Sequence, residues 1–204
     1  MSVLTVSHVT HGFGARQILD DASFRLLKGE HVGLIGANGE GKSTFLNIIT
    51  GKLPPDEGKI EWSYQVTVGY LDQHSVLEKG MTIRDALRQA FDDLFEMEQN
   101  ITAAYDEMGD CDEDRMNKLL EQVGEWQEIL EQRGFYEIDA VIERAAAGLG
   151  LMDIGLDRDV TELSGGQRTK VLLTKLLLQK PTILLLDEPT NYLDVEHIHW
   201  LQNY

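Results

Sequence analysis

Cysteine is nearly absent from the 204 residues: Cys111 stands alone, which excludes an internal disulfide framework and any multi-cysteine metal site. No apolar run approaches the roughly 18 residues that a membrane helix needs, and stretches such as Ile183–Leu186 are among the longest. The opening residues, MSVLTVSHVT, lack a basic segment followed by an apolar one, so no secretory signal is expected and a cytoplasmic protein is the default. Basic residues are scarce: 18 Lys and Arg face 35 Asp and Glu, a net charge of −17. A generic nucleic-acid binder carries the opposite sign, because phosphate contacts need cations. What is present, 42% hydrophobic and 26% charged residues, suits an ordinary globular chain with room for a sizeable core.

The charge is unevenly spread. Residues 1–80 carry a net −2, residues 81–160 a net −14 and residues 161–204 a net −1. Two nearly neutral ends flank an acidic insert. At the ends, short β-prone runs (Val3–Val6, Ser23–Leu27) are broken by a turn at Gly12-Phe13-Gly14, and His31–Ile35 fits a buried strand. Ser43–Ile49 has helical spacing, stopped by Gly51 and Pro54-Pro55; Val66–Leu71 reads as a strand, Val171–Leu178 as a helix, and Ile183–Leu186 as a buried strand closing on Asp187. Strands alternating with helices predict an α/β domain with a mainly parallel sheet.

The acidic middle has another rhythm. Ile83, Leu87, Ala90, Leu94, Met97, Ile101, Ala104 and Met108 step by four and three, a seam on one long helix. After an interruption at Gly109–Asp114, Met116, Leu119, Val123, Trp126 and Leu130 resume it. An antiparallel hairpin follows, either projecting or lying as two amphipathic helices on the main domain.

Three motifs carry chemistry. Gly36-Ala37-Asn38-Gly39-Glu40-Gly41-Lys42-Ser43-Thr44 matches G-x-x-x-x-G-K-S between a predicted strand and a predicted helix. Its glycines let backbone N–H groups curl round phosphate oxygens, Lys42 would reach the outer phosphates, and Ser43 would hold Mg²⁺. The strand Ile183–Leu186 ends in Asp187, suited to a magnesium shell, and Glu188, suited to act as general base. Together the two predict an NTPase. The third motif, Leu163-Ser164-Gly165-Gly166-Gln167, offers a second phosphate-binding helix start or a plain capped turn.

This last motif, about twenty residues before Asp187-Glu188, resembles the signature of the ATP-binding cassette (ABC) ATPases. The resemblance implies a P-loop NTPase fold of the ABC nucleotide-binding type, with ATP and Mg²⁺ as ligands. It further implies that Ser164, Gly165, Gly166 and Gln167 act in trans on ATP held by a second cassette, head to tail. Gln73 falls in the Q-loop, touching metal and attacking water, and Phe13 is placed to stack on adenine, with a plain turn aromatic as the alternative.

The run Leu163–Leu177, the segment Asp187-Glu188-Pro189-Thr190-Asn191-Tyr192-Leu193-Asp194, and the ninety positions between Gln73 and Leu163 resemble the F subfamily, the membrane-free class that acts on ribosomes. That resemblance divides the chain into the first part of the ATP-binding core (1–80), an acidic helical hairpin or arm (81–145), and the signature helix, Walker B strand and D-loop (146–204). It implies a ribosomal partner, and so acidic an arm would meet a basic ribosomal protein rather than RNA. The alternatives are the ATP-binding subunit of a membrane transporter and a ribosome-protection module in which ATP is a latch.

Tyr192 departs from the His common in the subfamily, and the chain stops at Tyr204, before a switch histidine; His197 and His199 read as surface or packing residues on the helix after the D-loop. A longer tandem-cassette protein is expected, with weak turnover from this part alone. Asp110, Asp112, Asp114 and Glu121 fit an EF-hand count, but Arg115 occupies the sixth position, where the turn needs Gly. Helix capping by Asp112 or Asp114 is the simpler account, and Cys111 is expected to be an exposed thiol.

Overall fold

The computed structural model describes residues 2–71, 77–189 and 193–203. A two-residue turn at Gly14–Ala15, with Gly14 at φ 60°, folds β1 (Ser2–Phe13) back onto β2 (Arg16–Leu27). So short a link permits only antiparallel pairing. β3 (Glu57–Trp62), which sequence reasoning did not anticipate, pairs antiparallel with the other edge of β1, giving the order β2-β1-β3. β4 (Val68–Leu71) and β5 (Ile183–Leu186) form a separate parallel pair, Val68 opposite Ile183 through Leu71 opposite Leu186.

Three expectations are corrected. Beside the parallel β4–β5 pair stands a three-stranded antiparallel sheet, whose first two strands are joined by a tight local turn rather than by a helical crossover. The turn lies at Gly14–Ala15, leaving Gly12 and Phe13 in β1. Residues 31–35 pair with no strand among the described residues, and Ile35 is 95% exposed. An apolar run shows fitness for a strand, but its backbone is satisfied only by a neighbouring ladder. Both edges of β1 are already taken by β2 and β3.

The chain divides into two compact units, residues 1–75 with 180–189 and residues 76–179 with 190–204. In the first, Leu4, Val6 and Val9 of β1 pack with Leu46, Ile48 and Ile49 of α1 (Lys42–Ile49). From Leu4 onward, buried positions along β1 run Leu4, Val6, Val9, His11, so the strict alternation gains one residue in the middle. The cause is a bulge at Ser7–His8: the register slips on both sides of β1, His8 has φ 53°, and Gly58 (φ 95°) passes so close that a Cβ there would strike the His8 backbone. The extra residue turns Val9 and His11 inward where regular alternation would place His8 and Thr10.

The second unit is helical. Thr82 and Asp85 form a reciprocal capping box at the start of α2 (Ile83–Arg88). The expected single helix from Ile83 to Met108 is interrupted by a tight turn at 89–91, after which α3 (Asp92–Met108) continues the seam. A seam is compatible with such a break because its spacing constrains the buried face and leaves backbone hydrogen bonding free to tighten locally. Asp112 caps α4 (Glu113–Gln132) by accepting the Arg115 N–H at 2.8 Å, in agreement with the capping account of the acidic tip.

α3 and α4 are antiparallel: Arg115 pairs with Glu107 near the tip, Gln127 donates to the Tyr105 hydroxyl midway, and Arg133 pairs with Asp93 at the base. Leu94, Ile101, Ala104, Leu119, Val123 and Leu130 are buried between them, in one cluster with residues of α2, α5 (Ile138–Gly148) and α6 (Gly165–Leu178). Cys111 is half-buried against this cluster rather than exposed, its Sγ 3.8 Å from the Met108 carbonyl, because the short link folds it under the hairpin tip. α7 (Val195–Asn203) ends the unit.

Three carboxyls of this unit sit below their ordinary values. Asp85 is held there by the Thr82 hydroxyl and then its N–H, Glu107 by Arg115, and Asp159 by the Thr161 hydroxyl and N–H. A carboxyl lowered by folding contributes stability above its unfolded pKa and loses it as pH falls through the folded value. The contribution of these three groups should therefore be level from neutrality to about pH 4 and decline below it. Urea midpoints against pH check this: Asp85→Asn should flatten the acid limb, and a limb of unchanged steepness contradicts the assignment.

Candidate functional site

Residues 36–41 lead directly into α1, whose N-cap is Gly41 at φ 96° with no side-chain cap. The first-turn N–H groups are thus left for another acceptor. Gly39 (φ 84°) and Gly41 adopt left-handed backbone, and a Cβ on Gly41 would run into the Ile18 side chain, so these positions require glycine. Lys42 folds back over the loop and donates from Nζ to the carbonyls of Gly36 (2.9 Å) and Ala37 (3.1 Å). The Ala37 N–H donates to a Glu40 carboxylate oxygen at 2.7 Å, which shows that the loop presents an N–H to an anionic oxygen. Asn38 is exposed on the loop, Ser43 is exposed in the first turn of α1, and Thr44 beside it is half-buried.

The second half of the site comes from β5. Asp187 and Glu188 follow its last residue, and a Glu188 oxygen lies 3.8 Å from Lys42 Nζ. Glu188 has φ 48°, a left-handed backbone that costs a non-glycine residue on the order of 1–3 kcal/mol. The structure thus brings Lys42 and Glu188 together beside the glycine loop, with Asp187 adjoining. Gln73 lies outside the described residues, as do Thr190, Asn191 and Tyr192.

Phe13 stands at the end of β1, 56% exposed. Its ladder partner Arg16 donates to the Gly39 carbonyl at 3.0 Å, which ties this hairpin end to the glycine loop. In the second unit, Ser164 is the N-cap of α6: its hydroxyl accepts the Gln167 N–H at 3.3 Å, and the Gln167 side chain accepts the Ser164 N–H at 2.9 Å. Gly165 and Gly166 form the first turn, so this motif is a capped helix start with Ser164 and Gly165 exposed. His197 lies on α7 as a packing residue, Nδ1 2.6 Å from Asp194 and 3.1 Å from Lys170 Nζ, and His199 is exposed on the same helix.

The family model described as ABC transporter matches residues 19–191. The chain belongs to this family. Its fold is accordingly the mixed α/β P-loop NTPase fold of an ABC nucleotide-binding domain. A solved ATP-binding subunit of an ABC transporter superposes with a TM-score of 0.64 at 25% identity, covering 98% of this cassette and 72% of that chain. An uncharacterized ABC transporter ATP-binding protein of Bacillus subtilis, YfmM, is 67% identical over all of this chain and 39% of its own length. The energy-dependent translational throttle protein EttA of Escherichia coli K12 is 36% identical over 93% of this chain and 34% of its own. The cassette therefore spans well under half the length of the curated relatives it matches.

Sequence reasoning located Lys42, Ser43, Asp187 and Glu188 from local motifs. It missed Arg16, Asp56 and His11, which the bulge and the β1 ladder bring to the same end of the sheet. The one available signal was the left-over polar residue in an apolar alternation, legible only once the bulge is known.

Proposed function

We propose that this cassette binds Mg-ATP on the loop Gly36–Thr44 and the Asp187–Glu188 strand end. Paired head to tail with a second cassette, it hydrolyses ATP to ADP and phosphate to drive association with and release from the ribosome. The observation that carries the chemistry is the approach of Glu188 to Lys42, 3.8 Å apart beside a loop whose N–H already meets a carboxylate oxygen. Loop N–H groups from Gly36 to Gly41 would cradle the phosphates, and Lys42 would exchange its two carbonyl partners for the outer phosphate oxygens. Ser43, Asp187 and Gln73 would hold Mg²⁺, which when bound supplies charge neutralisation between those oxygens. Glu188 would accept a proton from the attacking water at a carboxylate oxygen. Phe13 would stack on the base. The Ser164–Gln167 turn would complete the site of the opposite cassette.

The translational part of the reading is supported by relatives named as translational throttle proteins, 35–36% identical over nearly all of this chain. In it, residues 81–145 are an arm, and their acidity suits a basic ribosomal protein. Replacing exposed arm acids such as Glu121, Glu125 and Glu128 by Gln should weaken ribosome binding by the full-length protein and shrink its salt dependence. Affinity and salt slope that stay as they were would remove the arm from the interface. A transporter subunit is the second reading, favoured by the solved transporter cassettes that share the fold and by the name of the 67% identical relative. It predicts recovery with membrane partners instead.

A further inference from the structure

His11 is 6% exposed near the end of β1, and among the described residues neither of its ring nitrogens has a hydrogen-bond partner. Burying an imidazole in this way is unfavourable, so its retention calls for a compensating contact. Its Nδ1 stands 3.4 Å from an oxygen of Asp56, but that same oxygen accepts the Gly12 N–H at 2.8 Å. The contact His11 does make is with Phe13: ring centroids 4.9 Å apart, planes at 89°. The bulge at Ser7–His8 creates this arrangement, because it sets His11 inward and Phe13 two residues further on the same side.

A half-exposed phenyl ring beside a turn ordinarily samples several rotamers, and ordering it opposes ligand binding. A buried perpendicular ring restricts that freedom in advance while leaving Phe13 more than half open. Asp56 fixes Gly12, the residue between the two rings, and Arg16 fixes the facing strand to the glycine loop. We infer that His11 is a positioning residue for nucleotide binding, holding the Phe13 ring as a preformed platform for a purine base. The inference rests on the reading of Phe13 proposed above.

The test compares two probes that differ in the base, Mg-ATP and Mg-tripolyphosphate, bound at equilibrium to the full-length chain. Phe13→Ala sets the reference: it should weaken ATP and leave tripolyphosphate unchanged. A Phe13→Ala variant that affects both probes equally, or neither, overturns the platform reading itself. With that reference secured, His11→Ala should weaken ATP about three- to tenfold with tripolyphosphate unchanged. His11→Phe, which keeps a ring and removes both nitrogens, should restore most of the loss. Should His11→Ala fail to fold, His11→Leu fills the space without a ring and carries the same expectation. Unchanged ATP affinity, equal losses for both probes, or a His11→Phe loss as large as that of His11→Ala overturns the inference while leaving Phe13 in place.

Discussion

Glu188→Gln should lower ATP turnover of the full-length protein by about 10²- to 10⁴-fold, the range that follows from its proposed role as general base. Nucleotide binding should survive. Glu188 lies 3.8 Å from Lys42, so its negative charge opposes the polyphosphate more than it helps it, and the amide keeps nearly the same shape. Affinity for Mg-ATP is therefore expected to stay level or rise slightly, while the rate collapses. Single-turnover hydrolysis and equilibrium binding separate the two quantities. A fall in rate of less than about tenfold would mean that another group takes the proton. A parallel loss of binding would make the Glu188–Lys42 contact structural.

Leu130→Ala is expected to have the largest effect on stability. Leu130 is 1% exposed on α4, in the cluster that joins the hairpin to α2, α5 and α6. Truncating such a leucine costs about 2–5 kcal/mol, the transfer free energy plus the cavity left behind. For a unit of this size the melting temperature should fall by about 6 °C or more. Leu120 on the same helix is 50% exposed, and Leu120→Ala should stay within about 1 kcal/mol of the parent. Equal shifts for the two variants, followed by thermal unfolding, would show that the seam faces another way.

The hairpin was legible because its information is local. Apolar positions at steps of four and three specify one buried face, and Asp112 and Gly134 punctuate α4 where a cap and a left-handed residue are needed. The break at 89–91 was not legible, since the seam runs through it unchanged. The glycine loop was legible for the same local reason: glycines and Lys42 stand at fixed offsets along one turn. What the sequence hid is non-local. β1 and β2 each extend to twelve residues because they template one another, and β3 pairs with the second edge of β1, fifty or so positions away along the chain. The bulge at Ser7–His8 depends on Gly58, fifty positions away, and without it neither the burial of His11 nor its contact with Phe13 can be read from spacing.

In the proposed function, ATP occupancy of this cassette commits the protein to the ribosome. The first measurement sediments the full-length protein, carrying Glu188→Gln and the corresponding change in the proposed second cassette, with ribosomes in ATP and in ADP. Co-sedimentation in ATP and release in ADP are the expected result. Protein that traps ATP yet stays in the soluble fraction or follows the membranes would contradict the ribosomal assignment and leave only the ATPase.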